Sequence, residues 1–237
     1  MSMKNYYQGR PYLSIIMPVL NEGENITATL RSTASDEYVE RVVVDGGSRD
    51  DTVLLARAAG AKVVLSPPGR AWQLNSGAGE AQGEVLLFLH GDTLLPHNYA
   101  RLVRETMERG DIAAGAFRLA INAPQSRFKW VAGAANLRSR ILQFPYGDQA
   151  IFLRSDLFRA LGGFPEIPIM EDFCLVQRLR RQGRIHLLDQ QVLTSARRWL
   201  QLGVVRTTLI NQLLILGFLL GFPLDFLAKF YGVVHKR

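Results

Sequence analysis

The chain has 237 residues, of which 48% are hydrophobic and 21% charged, with a net charge of +7. At about 150 residues per domain this is one large domain or two small ones, and the balance excludes both a disordered chain and a polytopic membrane protein. The positive surplus suits anionic partners such as phosphates or acidic headgroups, while the single cysteine, Cys174, excludes an internal disulfide or a multi-cysteine zinc site and fits a reducing compartment.

Residues Met1 to Arg10 carry Lys4, Asn5 and Gln8 where a secretory leader needs an unbroken apolar stretch, so export is not expected and a cytoplasmic location is. Leu13 to Val19, an apolar run closed by Pro18 and Asn21, reads as a buried strand, and Glu24 to Ser32 has helical character. The β-branched run Arg41 to Asp45 is a second strand, followed by a turn at Gly46, Gly47 and Ser48. Asp50, Asp51 and Thr52 precede the periodic stretch Val53 to Ala59, and Gly60 follows it, the acidic start and glycine stop of a helix. Lys62 to Leu65 is a third strand, Ala71 to Ala81 a helix in spite of Gly77 and Gly79, and Val85 to His90 a fourth strand. Such alternation of helices with apolar strands is the pattern of an α/β parallel sheet covered on both faces. Beyond residue 96 the pattern is mixed: helices over Pro96 to Glu108, Phe128 to Leu142 and Glu171 to Gln182, and strands over Ala113 to Ile121, Ala150 to Leu153 and Arg184 to Leu188. From Leu200 onwards the chain is a long apolar helical region.

In an open parallel sheet, ligands bind beyond the carboxyl ends of the strands. Asn21 and Glu22 follow the first strand, Asp45 ends the second, and His90-Gly91-Asp92 ends the fourth, so Glu22, Asp45 and Asp92 are expected on one rim. Gathered acids repel one another unless they hold a cation or a polar ligand, which points to a metal-assisted nucleotide site. Taken singly, Asp45 and Asp92 read equally well as caps of the helices that follow them. The first strand-to-helix turn lacks Gly-x-Gly-x-x-Gly, and no Gly-Lys-Ser/Thr occurs anywhere, which disfavours a nicotinamide dehydrogenase and a Walker-type phosphate loop.

Together, Leu13 to Glu22 and Val42 to Thr52 resemble the first two strands and nucleotide-binding turns of the inverting family 2 glycosyltransferases, and the likeness extends over roughly residues 12 to 200. The resemblance implies the GT-A fold, a Rossmann-like, mostly parallel doubly wound sheet, as a domain over residues 1–203, with an apolar helical tail over 204–237. It implies that Pro18, Glu22 and Asp45 hold the base and ribose of a UDP-type sugar donor, with Arg70 and Asn75 as further donor contacts. His90-Gly91-Asp92 stands at the family's Asp-x-Asp motif with histidine for the first acid, so Asp92, with His90 beside it, is the expected ligand of Mg²⁺ or Mn²⁺. Gly162 to Glu166 and Met170-Glu171-Asp172 resemble the acceptor loop and the Glu-Asp motif. By resemblance Asp172 is the base that takes the proton of the acceptor hydroxyl, with Gly163, Phe164 and Glu171 on the acceptor side. Asp148 and Gln149, in Tyr146-Gly147-Asp148-Gln149, face the acceptor by their place in the family.

Ser195-Ala196-Arg197-Arg198-Trp199 stands where processive members carry Gln-x-x-Arg-Trp; serine in the first place argues for a non-processive enzyme. Arg197 and Arg198 are expected on the donor diphosphate and Trp199 on the acceptor side. Outside this context, Glu171 and Asp172 are ordinary first-turn helix acids and the arginine pair a solvated face. The whole combination most resembles a compact bacterial subgroup, the radical-SAM/selenodomain-associated transferase 2 group, whose name gives no substrate.

Leu209 to Phe222 contains no charged residue, yet fourteen residues are too few to span a bilayer, which takes about 20. An interfacial hairpin is the reading preferred here, with Arg197, Arg198 and Arg206 before it and Lys236 and Arg237 after it to meet anionic headgroups; a core helix or a dimer contact is the other. The expected acceptor is accordingly lipid-linked and the expected location the inner face of the cytoplasmic membrane. Two rivals remain open: a nucleotidyltransferase on a similar sheet, for which the loop Asn21-Glu22-Gly23-Glu24-Asn25 does not supply the usual glycine-rich, basic stretch, and a catalytically silent basic membrane-binding module. Nucleic acid is not an expected partner, since ordered base-stacking aromatics are absent.

Overall fold

The computed structural model describes residues 11–34 and 39–235, apart from the side chains of Arg198 and of residues 233–235; the expected headgroup contacts Lys236 and Arg237 lie outside the described residues. Strand β1 (Leu13–Val19) pairs in parallel with β2 (Val39–Asp45) and β4 (Val85–Phe88), and β2 with β3 (Lys62–Leu65). β1 and β4 are nearly continuous apolar runs because both of their faces are covered, whereas β3 lies at the edge of the sheet with Lys62 and Leu65 exposed. Ile15, Met17, Val43 and Leu87 enter one core layer with Ile26 and Leu30 of α1 (Ile26–Ser32) and Tyr99 and Val103 of α4 (Tyr99–Met107). Ile16, Val42, Val44, Leu86 and Phe88 enter the other with Leu74 and Ala78 of α3 (Arg70–Glu80). Each such side chain contributes about 1.5–3 kcal/mol on leaving water. Gly77, which weakens α3 as an isolated helix, lets it lie close to the sheet: a Cβ there would meet Ile16 at 2.5 Å and Val44 at 2.7 Å.

The parallel expectation holds for β3-β2-β1-β4, and beyond it the sheet is mixed, as the second half of the sequence suggested. Strand β7 (Phe152–Arg154) runs antiparallel to β4 and to β6 (Ile112–Asn122); β6 is parallel to β8 (Arg184–Ser195), and the two-residue β5 (Thr93–Leu94) closes the edge against β8. The described residues thus form an eight-stranded mixed sheet of order β3-β2-β1-β4-β7-β6-β8-β5. The fourth strand stops at Phe88, leaving His90-Gly91-Asp92 in the turn beyond it. β8 runs past the expected Leu188 to Ser195, while β5 and α6 (Ser155–Ala160) are too short to announce themselves as periodic runs. The helices α2 (Thr52–Ala58), α5 (Ser126–Leu142) and α7 (Glu171–Leu179) fall within a few residues of their expected positions.

After β8 the tail is not one helix but three: α8 (Arg197–Leu202), α9 (Val204–Leu219) and α10 (Leu224–His235). Gly203 and Gly221, both at left-handed φ, make the breaks. The α9–α10 hairpin packs through Ile210, Leu214 and Leu227, whereas Leu209, Leu213, Leu216, Leu220 and Phe226 are exposed. No helix among the described residues is long and apolar enough to cross a membrane.

Candidate active site

The parallel register ends β1 and β2 side by side, Val19 opposite Asp45, and the two turns that follow are laced together. The Gly46 N–H donates to the Val19 carbonyl at 3.0 Å, and the buried Gln73 amide of α3 donates to the carbonyls of both Val19 and Val44 at 2.8 Å. Asp45 accepts from the N–H groups of Gly47 and Ser48, so its carboxylate closes its own turn. The segment after it holds the β1 turn in place: Ser48 Oγ accepts from Asn21 N, Thr52 Oγ1 from Glu22 N and Asp50 from Gly23 N, at 2.8–2.9 Å. Hydrogen bonds from the Thr52 hydroxyl and the Gly23 N–H hold the Asp50 carboxyl below its ordinary range.

Glu22 and Asp92 are joined by a protein cation. Arg197, at the start of α8, brings its Nη2 to 2.6 Å from Glu22 Oε1 and 3.9 Å from Asp92 Oδ2. Asp45 is spent on its turn, Arg197 lies between Glu22 and Asp92, and the described residues contain no group of three His, Cys, Asp or Glu able to hold a metal by themselves.

Arg70 opens α3 and reaches across to both halves of the sheet. One of its terminal nitrogens meets His90 Nε2, while its Nε lies 3.0 Å from Glu171 Oε1 without the alignment of a hydrogen bond. In this arrangement His90 Nε2 faces a guanidinium. Glu171 is almost wholly buried, and burial pushes its carboxyl up against the opposing pull of Arg70. Beside it, Asp172 Oδ2 accepts the Gly147 N–H at 2.9 Å. The fit at Gly147 is close, since a Cβ would meet Arg70 Nη2 at 2.5 Å and Asp172 Oδ2 at 3.1 Å and would have to displace the guanidinium. Met170 and Ala150, just outside these contacts, sit at left-handed φ of 72° and 47°. Such backbone is costly for non-glycine residues and persists where the surroundings over-determine it, as at functional clefts. Pro18, Arg70, His90, Gly147, Phe164 and Asp172 line one small cleft.

Other expected residues act at one remove from this cleft. Asn75, expected on the donor, spends its amide on the backbone of Phe164, donating to its carbonyl at 2.8 Å and accepting its N–H at 2.9 Å, and so fixes the Gly163–Phe164 loop. Gln149, expected on the acceptor, is fully buried: its Oε1 accepts from Ser139 Oγ at 2.6 Å and Tyr146 N at 3.2 Å, and its Nε2 donates to the Phe117 carbonyl at 3.1 Å. It holds the turn that carries Gly147 and Asp148. Trp199 packs against the core layer of β1 and α1 in place of the acceptor side, and the Arg198 side chain lies outside the described residues. Gln73 was not anticipated; its only trace in the sequence is a polar residue on the buried stripe of α3.

A divalent cation is implied by the family resemblance. Asp92 offers one partly exposed carboxylate at the rim, and small hard cations are commonly held by one or two carboxylates with substrate phosphates and water completing the shell. The donor set fits that open kind of site and not an all-protein cage.

Comparison with known proteins agrees with this geometry. The sequence profile of Glycosyl transferase family 2 matches residues 14–161. Glycosyltransferase AglE of Haloferax volcanii is 33% identical over 111 residues, 42% of this chain and 34% of AglE, so the chain spans about a third of that relative's length. Among solved structures, S. aureus TarS 1-349 in complex with UDP-GlcNAc superposes with a TM-score of 0.62 at 22% identity, covering 77% of this chain and 58% of that one. Glucosyl-3-phosphoglycerate synthase from Mycobacterium tuberculosis, in complex with Mn²⁺, UDP-glucose and phosphoglyceric acid, gives 0.59 at 21% identity, covering 79% and 72%. At these identities the two structures establish the shared fold.

Proposed function

The chain belongs to glycosyl transferase family 2, and from that premise we propose that it transfers a sugar, with inversion, from a nucleotide-diphosphate donor, most simply a UDP-sugar, to an acceptor hydroxyl. The observation that carries the reading is the convergence of Arg70, His90 and Asp172 on Gly147 beside the strand ends that carry Glu22, Asp45 and Asp92. The acceptor oxygen attacks the anomeric carbon, its proton passes to Asp172, and the bond from that carbon to the diphosphate breaks on the opposite side. Gly147 N–H keeps one oxygen of Asp172 in place, and Oδ1 is turned to its own helix at Phe173 N. Arg70, with a buried Nε that lacks a hydrogen-bond partner among the described residues, lines the same cleft as that base and is a natural contact for the leaving diphosphate.

A divalent cation bound at Asp92 would neutralise the charge that develops on the nucleoside diphosphate. Arg197 then has a second task. Held by Glu22 and Asp92 here, it is free to turn to the diphosphate once the donor brings its own charge into the rim. Support for this donor class comes from the likeness to structures solved with UDP-GlcNAc and with Mn²⁺ and UDP-glucose. Thermal shift against a panel of UDP- and GDP-sugars, with and without Mn²⁺, tests the reading: stabilisation by one donor that grows with Mn²⁺ supports it, and no stabilisation by any donor contradicts it.

The exposed leucines and phenylalanines of α9 and α10 favour a lipid-linked acceptor met at the inner face of the cytoplasmic membrane. Full-length protein should then co-sediment with anionic liposomes, and a chain ending at Gly203 should not. Full-length protein that stays in the supernatant at low salt removes the membrane from the proposal and leaves the transfer reaction intact.

A further inference from the structure

A second cavity, of about 440 Å³, opens between α5 and the first half of β8 and shares no lining residue with the cleft at Asp172. Arg118 of β6, Arg140 of α5, and Arg184 and His186 of β8 line it, against one acid, Asp189. Two backbone irregularities frame it. Between the pairs Phe117–Leu188 and Arg118–Gln191 β8 has two residues more than β6, so Asp189 and Gln190 bulge from the ladder. At the end of α5, Gln143 is held at a left-handed φ of 50° while its Oε1 accepts the Ile185 N–H at 3.0 Å. Bulges re-aim side chains next to binding sites, and non-glycine residues at positive φ cluster in ligand clamps.

The charge in the cavity is unevenly answered. Arg184 is bound to Asp111 at 2.7 Å, whereas Arg118 and Arg140 have no ion-pair partner among the described residues. Burial, and then the positive charges of Arg109 and Arg184, hold His186 below its ordinary range, which reports the same cationic surroundings from inside the cavity. The carbonyl end of α5 leans negative, and Arg140 in the neighbouring turn offsets it. Guanidinium forks match the oxygens of phosphate in pairs. On the rim of the cavity, Leu137 continues an exposed apolar stripe of α5 with Trp130 and Ile141, at helical spacings that put all of them on one face.

We propose that this cavity is a second binding site, separate from the transfer cleft, for a phosphomonoester group. A free phosphate compound would use the arginines alone; a lipid headgroup would use them with its chain along the Trp130–Ile141 stripe. The full chain is titrated with inorganic phosphate by calorimetry, and the titration repeated in the presence of phosphatidylcholine vesicles with and without phosphatidic acid. Saturable phosphate binding is expected, weakened at least tenfold when Arg118→Gln and Arg140→Gln are combined and unchanged in Arg70→Gln, whose position is in the other cleft. Displacement of phosphate by the phosphatidic acid vesicles alone assigns the headgroup as the natural source, and persistence of phosphate binding assigns a free compound; both keep the site. Arg140→Gln by itself, on an exposed helix position, should weaken binding severalfold and keeps the test readable if the double variant fails to fold. The proposal is overturned if phosphate does not bind saturably, if the Arg118 and Arg140 variants bind it like the parent, or if Arg70→Gln is the variant that loses it.

Discussion

The two halves of the sheet build their shares of the cleft differently. On the β3-β2-β1-β4 side the key groups sit in two turns that strand pairing sets side by side: Asp45 is fixed by Gly47 and Ser48 of its own turn, and the β1 turn by Ser48, Asp50 and Thr52 of the β2 turn. On the β7-β6-β8 side, Asp172 is fixed by a turn 25 residues earlier, and that turn by Gln149, whose partners lie on α5 and β6. The first half is therefore a cradle that forms when β1 and β2 pair, whereas the second is correct only when α5, β6 and α7 have docked on one another. The base is held by contacts between separately packed elements, and the binding cradle by the turns of two paired strands.

The sharpest way to break that contrast is to remove chemistry from the second half without touching the first. Asp172→Asn keeps the shape and the Gly147 contact but cannot accept a proton, so turnover should fall by about two to four orders of magnitude while donor affinity stays. Equal losses in both would mean that Asp172 belongs to the donor cradle. Asp92→Asn, from the other half, should do the reverse, weakening Mn²⁺-dependent donor binding by about two orders of magnitude; donor binding that still responds fully to Mn²⁺ would remove Asp92 from the site. Asn75→Ala sharpens the comparison, because Asn75 sits on α3 yet spends both ends of its amide on Phe164. It should cost about 1–3 kcal/mol of stability in denaturant unfolding and raise KM for the acceptor, with donor affinity little changed. A selective loss of donor affinity would return Asn75 to the donor.

The smallest effect lies away from the cleft. His186 faces Arg109, Arg184, Arg118 and Arg140 as well as Asp189 and Asp111, and burial with the arginines depresses its folded pKa below the unfolded value near 6.5. The unfolded chain therefore takes the proton first, and this contribution is intact above about pH 6.5 and shrinks as the pH falls below it. His186→Gln should flatten that part of the melting-temperature profile by no more than about 2 °C, and an unchanged slope would mean that other groups set it.

The same contrast explains what could be read from the sequence. β1 and the second half of β2 are buried apolar or β-branched runs, and β3 is a short β-branched run at the edge set off by Gly60 and Pro67, so their expected positions agree with the structure to within two residues. The mixed half gave weaker signals: β5 has two residues and β7 three, and pairing direction leaves no mark on such short runs. Residue types near the cleft were legible as well, since Asp172, Arg70 and His90 do meet there. What each polar group spends itself on was not. The commitment of Asn75 to Phe164, of Gln149 to Phe117 and of Arg197 to Glu22 depends on contacts 32 to 175 residues apart, which no local pattern encodes.

Sugar transfer at Asp172 is tested most directly by product analysis: the chain and its Asp172→Asn variant are incubated with nucleotide-sugars and Mn²⁺, and the released nucleotide is identified alongside a parallel reaction with nucleoside triphosphates and sugar phosphates. Release of nucleoside diphosphate from one nucleotide-sugar, with the configuration of the anomeric carbon inverted in the product and the rate lost in Asp172→Asn, is the expected result. Pyrophosphate release from a triphosphate, or nucleoside diphosphate release that is indifferent to Asp172, would contradict it.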